Sequence, residues 1–173
     1  MFSNYRLFSP KSLIILILVA IAFYYLFNYR YNNPLKIGTN APNIIFETLS
    51  GKKFTLNEIN LPKALVFFSD NTMFTKHYLK FIRELRLIDT NYLYPIIIYD
   101  IKQDPKIIRN KLNTKDHLSP LKDITYIVDI DKVSHDYKVR SFPHFYLLNT
   151  DNIVIYQSKV PSIDKIKTYI RSF

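Results

Sequence analysis

Hydrophobic and polar positions change rhythm several times along the chain, and each rhythm predicts an element. Over residues 37–59, IGTNAPNIIFETLSGKKFTLNEI, apolar and polar residues alternate around Ser50-Gly51, which predicts a β-hairpin. ALVFF, residues 64–68, is an uninterrupted apolar run of strand length and predicts a central strand buried on both faces. From Phe74 the spacing becomes three and four, through Tyr78, Phe81, Ile82 and Leu85, which predicts a helix with one apolar face capped by Asp70 or Asn71. LYPIIIYD, residues 93–100, reads as a second buried strand, with Pro95 near its start where a missing amide does least harm.

Residues 104–113, DPKIIRNKLN, predict a short helix with proline in its first turn. ITYIVD predicts a short strand and DKVSHDYKV one or two helical turns. HFYLLNTDNIVIYQS predicts two strands joined at Thr150-Asp151-Asn152. The tail SIDKIKTYIRSF predicts a helix capped by Ser162, with Ile163, Ile166 and Ile170 on one face. Strands alternating with helices, then a hairpin and a last helix, give an α/β fold: a central mixed β-sheet flanked by helices, with an N-terminal β-hairpin.

Ahead of this domain lies SLIILILVAIAFYYLFNY, residues 12–29, uncharged and flanked by Arg6, Lys11 and Arg30. Its length suits a ~30 Å hydrocarbon core, and its far aromatic cluster suits an interfacial belt. We expect a transmembrane helix acting as a signal anchor. A cleaved signal peptide is the competing reading, since Ala20-Ile21-Ala22 has the small-x-small pattern; continued hydrophobicity through Phe27 favours retention. The expected organisation is a tail over 1–11, the transmembrane helix over 12–29, a linker over 30–35 and the globular domain over 36–173. Arg6, Lys11 and the amino terminus tip the orientation slightly toward an inside N-terminus.

Charge and composition narrow the chemistry. The formal net charge is +10, from 24 Lys and Arg against 14 Asp and Glu. A basic domain near a bilayer is drawn to anionic headgroups, making membrane lipid an expected partner. No zinc-finger, RGG or helix-turn-helix pattern accompanies the charge, so nucleic acid is not expected. His77, His117, His135 and His144 lack metal-ligand spacing and read as ordinary surface or partly packed imidazoles; neither metal nor cofactor is expected. There is no cysteine, which removes thiol nucleophiles, thiolate ligands and dithiol redox chemistry together.

Three stretches, in order, carry a family likeness: the 37–59 segment with its Gly-x-x-Ala-Pro opening, KALVFFSDNTMFTKHYLKFIREL, and VRSFPHFYLLNTDNIVIYQS. Together they resemble the thioredoxin fold in its membrane-anchored TlpA/ResA branch, over roughly residues 36–173. The resemblance places Thr72 and Thr75 where that family has its two cysteines, and Phe142-Pro143 where it has its cis-proline dipeptide. A threonine hydroxyl ionises far above the range in which a thiol is tuned, and two hydroxyls store no electron pair, so disulfide exchange is excluded.

The plain role for both threonines is to fill a helix N-terminus. The alternative is a substrate groove kept without its redox chemistry, with Met73, Phe74, Phe142 and Pro143 as a peptide-docking patch. A Thr72–His144 nucleophile pair is geometrically conceivable but lacks any triad pattern, so no catalytic residue is assigned. The resemblance implies a single-pass protein of a bacterial cytoplasmic membrane, with its C-terminal domain outside the cytoplasm. The expected function is that of a redox-inactive binding, chaperone or scaffold module with a protein or peptide partner. An architectural subunit of a membrane complex and a residual thiol-independent enzyme are the alternatives.

Overall fold

A computed structural model of the chain describes residues 10–69, 73, 75–99, 105–115, 118, 125–127, 130–139 and 141–172. It divides into two units, Met1–Asn33 and Pro34–Phe173. In the first, helix α1 (Pro10–Asn32) covers the apolar segment, and its leucines, isoleucines and aromatics are exposed on every side, from Leu13 through Leu26. The helix expected there is present. Among the described residues, however, no helix is long and apolar enough to cross a membrane. Side chains without polar atoms run only from Leu13 to Phe23 before Tyr24 and Tyr25 bring in hydroxyls, and that stretch rises about 16 Å.

The second unit opens with strands β1 (Ile45–Glu47) and β2 (Lys53–Thr55), paired antiparallel with Phe46 opposite Phe54. Gly51 closes their turn at φ 82°, and its amide donates to the Thr48 carbonyl at 2.9 Å. A left-handed position of this kind favours glycine, as the Ser50-Gly51 signal implied. A short 3₁₀ turn (Leu56–Glu58) follows, in which a Glu58 carboxylate oxygen accepts from the Thr55 amide at 2.9 Å.

The main sheet has the order β5-β4-β3-β6-β7. Its centre is β3 (Lys63–Phe68), parallel to β4 (Tyr94–Tyr99) and antiparallel to β6 (His144–Leu148). Outside these lie β5 (Thr125–Ile127), parallel to β4, and β7 (Val154–Ser158), antiparallel to β6. The turn joining β6 to β7 is held by the Asn149 side chain, which accepts from the Ile153 amide at 2.8 Å, with Asn152 left-handed at φ 64°. Asn40 bridges to Ile153, so the entry segment runs beside the start of β7.

Among the described residues the unit also has the helices α2 (Thr75–Arg86), α3 (Pro105–Thr114), α4 (Ile130–Asp136) and α5 (Ile163–Ile170). The sheet's side chains alternate between two apolar layers. Ala64, Val66, Phe68, Ile97, Phe145 and Leu147 face one layer, with Tyr78 to Leu85 of α2, Ile108 and Leu112 of α3 and Ile166 of α5. Leu65, Phe67, Ile96, Ile98, Tyr146 and Leu148 face the other, with Val133 and Tyr137 of the α4 segment and Phe46 and Phe54 of the hairpin. Burial on both faces explains why β3, β4 and β6 read as apolar runs and not as alternating strands.

Two local expectations are corrected. Ser162 stands at the start of α5, but its side chain makes no capping hydrogen bond; its carbonyl accepts from the Ile166 amide at 3.1 Å. Among the histidines, His77 and His135 are exposed as expected, whereas His144 is only 4% exposed. His144 falls inside the run HFYLL, whose residues are all buried, so register in the sheet carries it inward. His117, Asp70 and Asn71 lie outside the described residues.

Candidate functional site at the end of the central strand

Antiparallel pairing fixes which segments meet. Phe67 of β3 stands opposite His144 of β6, so the end of β3 and the beginning of β6 lie at one end of the sheet. The strand order also reverses between these two strands, since the chain goes outward through β4 and β5 and then returns to β6. A crevice at such a reversal is a common ligand position in α/β sheets. The segment between β3 and α2, and the dipeptide before β6, thus share that end.

Of the residues expected there, Thr75 begins α2, and its Oγ1 donates to the Ser69 carbonyl at 3.5 Å. The contact ties the helix start to the buried end of β3, with the hydroxyl as a donor to a carbonyl. Met73 is 91% exposed. Phe142 is half-buried against the α4-side layer, and Pro143 is buried, with a cis peptide between them as the resemblance implies. Thr72 and Phe74 lie outside the described residues. The structure therefore brings Thr75, Phe142 and Pro143 to one end of the sheet, with Met73 presented to solvent in the same connection.

Behind this end sits an aromatic and polar cluster that the sequence did not announce. The His144 ring packs on Tyr146 at 4.6 Å between centroids, and its Nε2 has no hydrogen-bond partner. Burial holds its pKa down to about 4; an interaction with the Gln157 side chain opposes this and the nearby Lys159 charge reinforces it. The imidazole is therefore neutral near pH 7.

Tyr146 donates its hydroxyl to the Tyr137 carbonyl at 2.9 Å and accepts from the Leu35 amide at 3.1 Å. Tyr137 in turn donates to the Pro42 carbonyl at 3.0 Å. Burial raises both phenols, that of Tyr146 to about 12, so both remain protonated donors. These bonds fasten the entry segment, residues 35–42, to the strand that begins beside the site. Lys63 at the other end of β3 is fully buried, and its Nζ donates to the Thr150 carbonyl at 3.0 Å; burial lowers its pKa, with Asp151 opposing.

The chemistry open to this arrangement is limited. With no cysteine in the chain, the site has no thiol of its own to attack or form a disulfide. Among the described residues no three His, Asp or Glu side chains come together as a metal site would require.

No protein-family model matches the chain, and no curated protein matches it. Solved structures do. The C-terminal domain of a protein assigned as a thiol-disulfide oxidoreductase from Bacteroides thetaiotaomicron superposes with a TM-score of 0.67 at 16% identity, covering 80% of this chain and 98% of that one. The thioredoxin domain of a thiol-disulfide oxidoreductase from Bacteroides vulgatus gives 0.63 at 12%, covering 79% and 99%. An exposed lipoprotein thioredoxin from Streptococcus pneumoniae gives 0.57 at 16%, covering 76% and 100%.

The fold is thioredoxin-like. At these identities the likeness reaches no further than architecture. Nearly the whole of each neighbouring domain is matched. Its departure from the neighbours described as oxidoreductases is chemical: it has their scaffold and no cysteine.

Proposed function

We propose that the chain is a membrane-attached, redox-inactive thioredoxin-like module of the TlpA/ResA type. It holds an extended protein or peptide segment at the β3/β6 end of its sheet, outside the cytoplasm of a bacterium. The observation that carries this reading is Met73, 91% exposed in the connection into α2 at the end of the sheet where β6 also begins. A flexible thioether at the surface adapts to varied apolar side chains, and exposure of this degree leaves its packing energy available to a partner. Phe142, half-buried just before β6, adds an aromatic edge.

Attachment rests on α1. A helix apolar on all sides has no favourable place in water, and its natural surroundings are a protein core or lipid. The likeness to an exposed lipoprotein thioredoxin supports a domain held at the outer side of a membrane.

A photoreactive residue replacing Met73 in the full chain tests the binding site. Adducts to extended peptides, reduced by an excess of unlabelled apolar peptide, are expected. Adducts that form equally from other exposed positions, such as Ile45, would refute a specific groove. Purified chain should neither oxidise nor reduce a dithiol substrate.

A further inference from the structure

The face formed by α2 and α5 is bordered by residues from His77, in the first turn of α2, to Arg171, just past α5. Two adjoining clefts meet at Lys167. One, of about 400 Å³, is bordered by Lys80, Glu84 and Leu87 of the α2 side and by Asp164 and Lys167 of α5. The other, of about 530 Å³, is bordered by Ile88, Tyr92, Lys167, Ile170 and Arg171.

Leu87 is 85% exposed and Tyr92 61% exposed at the rim. Helical spacing puts Lys76, Lys80 and Arg83 on one outward stripe of α2, all three exposed, with Leu87 just past its end. On α5 and its end, Lys165, Lys167 and Arg171 outnumber Asp164. Glu84 is already engaged by Lys80 at 3.9 Å. The face therefore combines a surplus of positive charge with a leucine, a tyrosine and an apolar cleft.

We infer that this face docks on an anionic lipid surface, with Lys167 and Arg171 over the headgroups and Leu87 and Tyr92 entering the interface. The inference rests on the membrane attachment proposed above and names the surface involved. Charge complementarity selects the occupant: cations ringing an exposed leucine and tyrosine match the phosphate and acyl boundary of a bilayer. Tethering favours it further, because an attached domain meets the lipid at high effective concentration. Docking would leave the hairpin side, on the other layer of the sheet, facing away from the lipid.

The absence of native cysteine makes the test direct. Full-length Leu87→Cys and, as reference, Ile45→Cys are labelled with an environment-sensitive fluorophore. Both are reconstituted with vesicles of phosphatidylcholine alone or mixed with phosphatidylglycerol. We expect the label at 87 to shift to the blue only with phosphatidylglycerol, while the label at 45 stays unchanged. Raising the salt, or introducing Lys167→Glu with Arg171→Glu, should reverse the shift; each basic residue lost weakens docking about fivefold. These residues are exposed, so thermal unfolding of the variants should match the parent.

Equal emission in the two vesicle types, or a shift that survives charge reversal, overturns the inference. So does a shift that needs other membrane proteins, since that assigns the face to a protein partner. Flotation with neutral vesicles reports attachment through α1 separately, so failure of docking is distinguished from failure of attachment.

Discussion

His144 should make the domain acid-labile by an amount that the structure sets. In the unfolded chain an imidazole titrates near 6.5, and in the folded domain burial holds it to about 4. Its folded pKa is depressed, so between these values the unfolded state binds a proton that the folded state refuses. Stability is then fully present above pH 6.5, declines as the pH falls through the window and levels off below 4. Linkage gives a loss of about 2 kcal/mol at pH 5 and about 3 kcal/mol at pH 4 from this one side chain. Carboxylates titrate in the same range, so the test is a difference.

Urea unfolding of the full chain in mild detergent, followed by tyrosine fluorescence from pH 7.5 to 4, is compared with His144→Phe, which keeps a ring against Tyr146 but cannot titrate. The parent should lose those amounts relative to the variant. Parallel profiles for the two proteins would refute the reasoning and mean that water or a charge partner reaches the imidazole. Lys159, whose charge also disfavours protonation, refines the measurement: Lys159→Gln should shrink the difference slightly without abolishing it.

Two further outcomes follow from buried groups and backbone geometry. Tyr146→Phe removes the acceptor of the Leu35 amide and the donor to the Tyr137 carbonyl, both buried, and should cost about 1–3 kcal/mol with faster hydrogen exchange at Leu35; unchanged exchange there would show that the entry segment is held by other contacts. Gly51→Ala meets no atom within 4 Å but keeps φ at 82°, so a loss of about 1 kcal/mol in urea unfolding is expected from backbone conformation alone.

What the sequence made legible is what burial on two faces writes into it. ALVFF and HFYLL are apolar without interruption because both layers claim them, and their register then fixes the end of the sheet where β3 and β6 meet. The three-and-four spacing of α2 gave its buried stripe, although Leu79, also buried, was not singled out because the stripe is wider than that pattern. Lys63 is concealed for the opposite reason. A lysine at a strand end reads as exposed, yet its stem lies in the core and only Nζ reaches an acceptor, the Thr150 carbonyl. His144 was hidden by identity, since a lone imidazole is usually half-exposed and only sheet register shows that it is enclosed.

None of these packing determinants depends on sulfur. The layers close through Phe67, Phe145, Tyr146 and their neighbours, so removing thiols from a thioredoxin-like scaffold leaves the core intact and alters only what its surface can do. Under the proposed binding role, what the domain does rests on contact, and contact is measured by exposed area and charge. That directs attention to Met73 at the end of the sheet and to the basic α2/α5 face, whose exposed Leu87, Lys167 and Arg171 lie outside the core clusters that present them. Mutating either should therefore change binding while leaving unfolding unchanged, whereas mutating β3 or β6 should change both together.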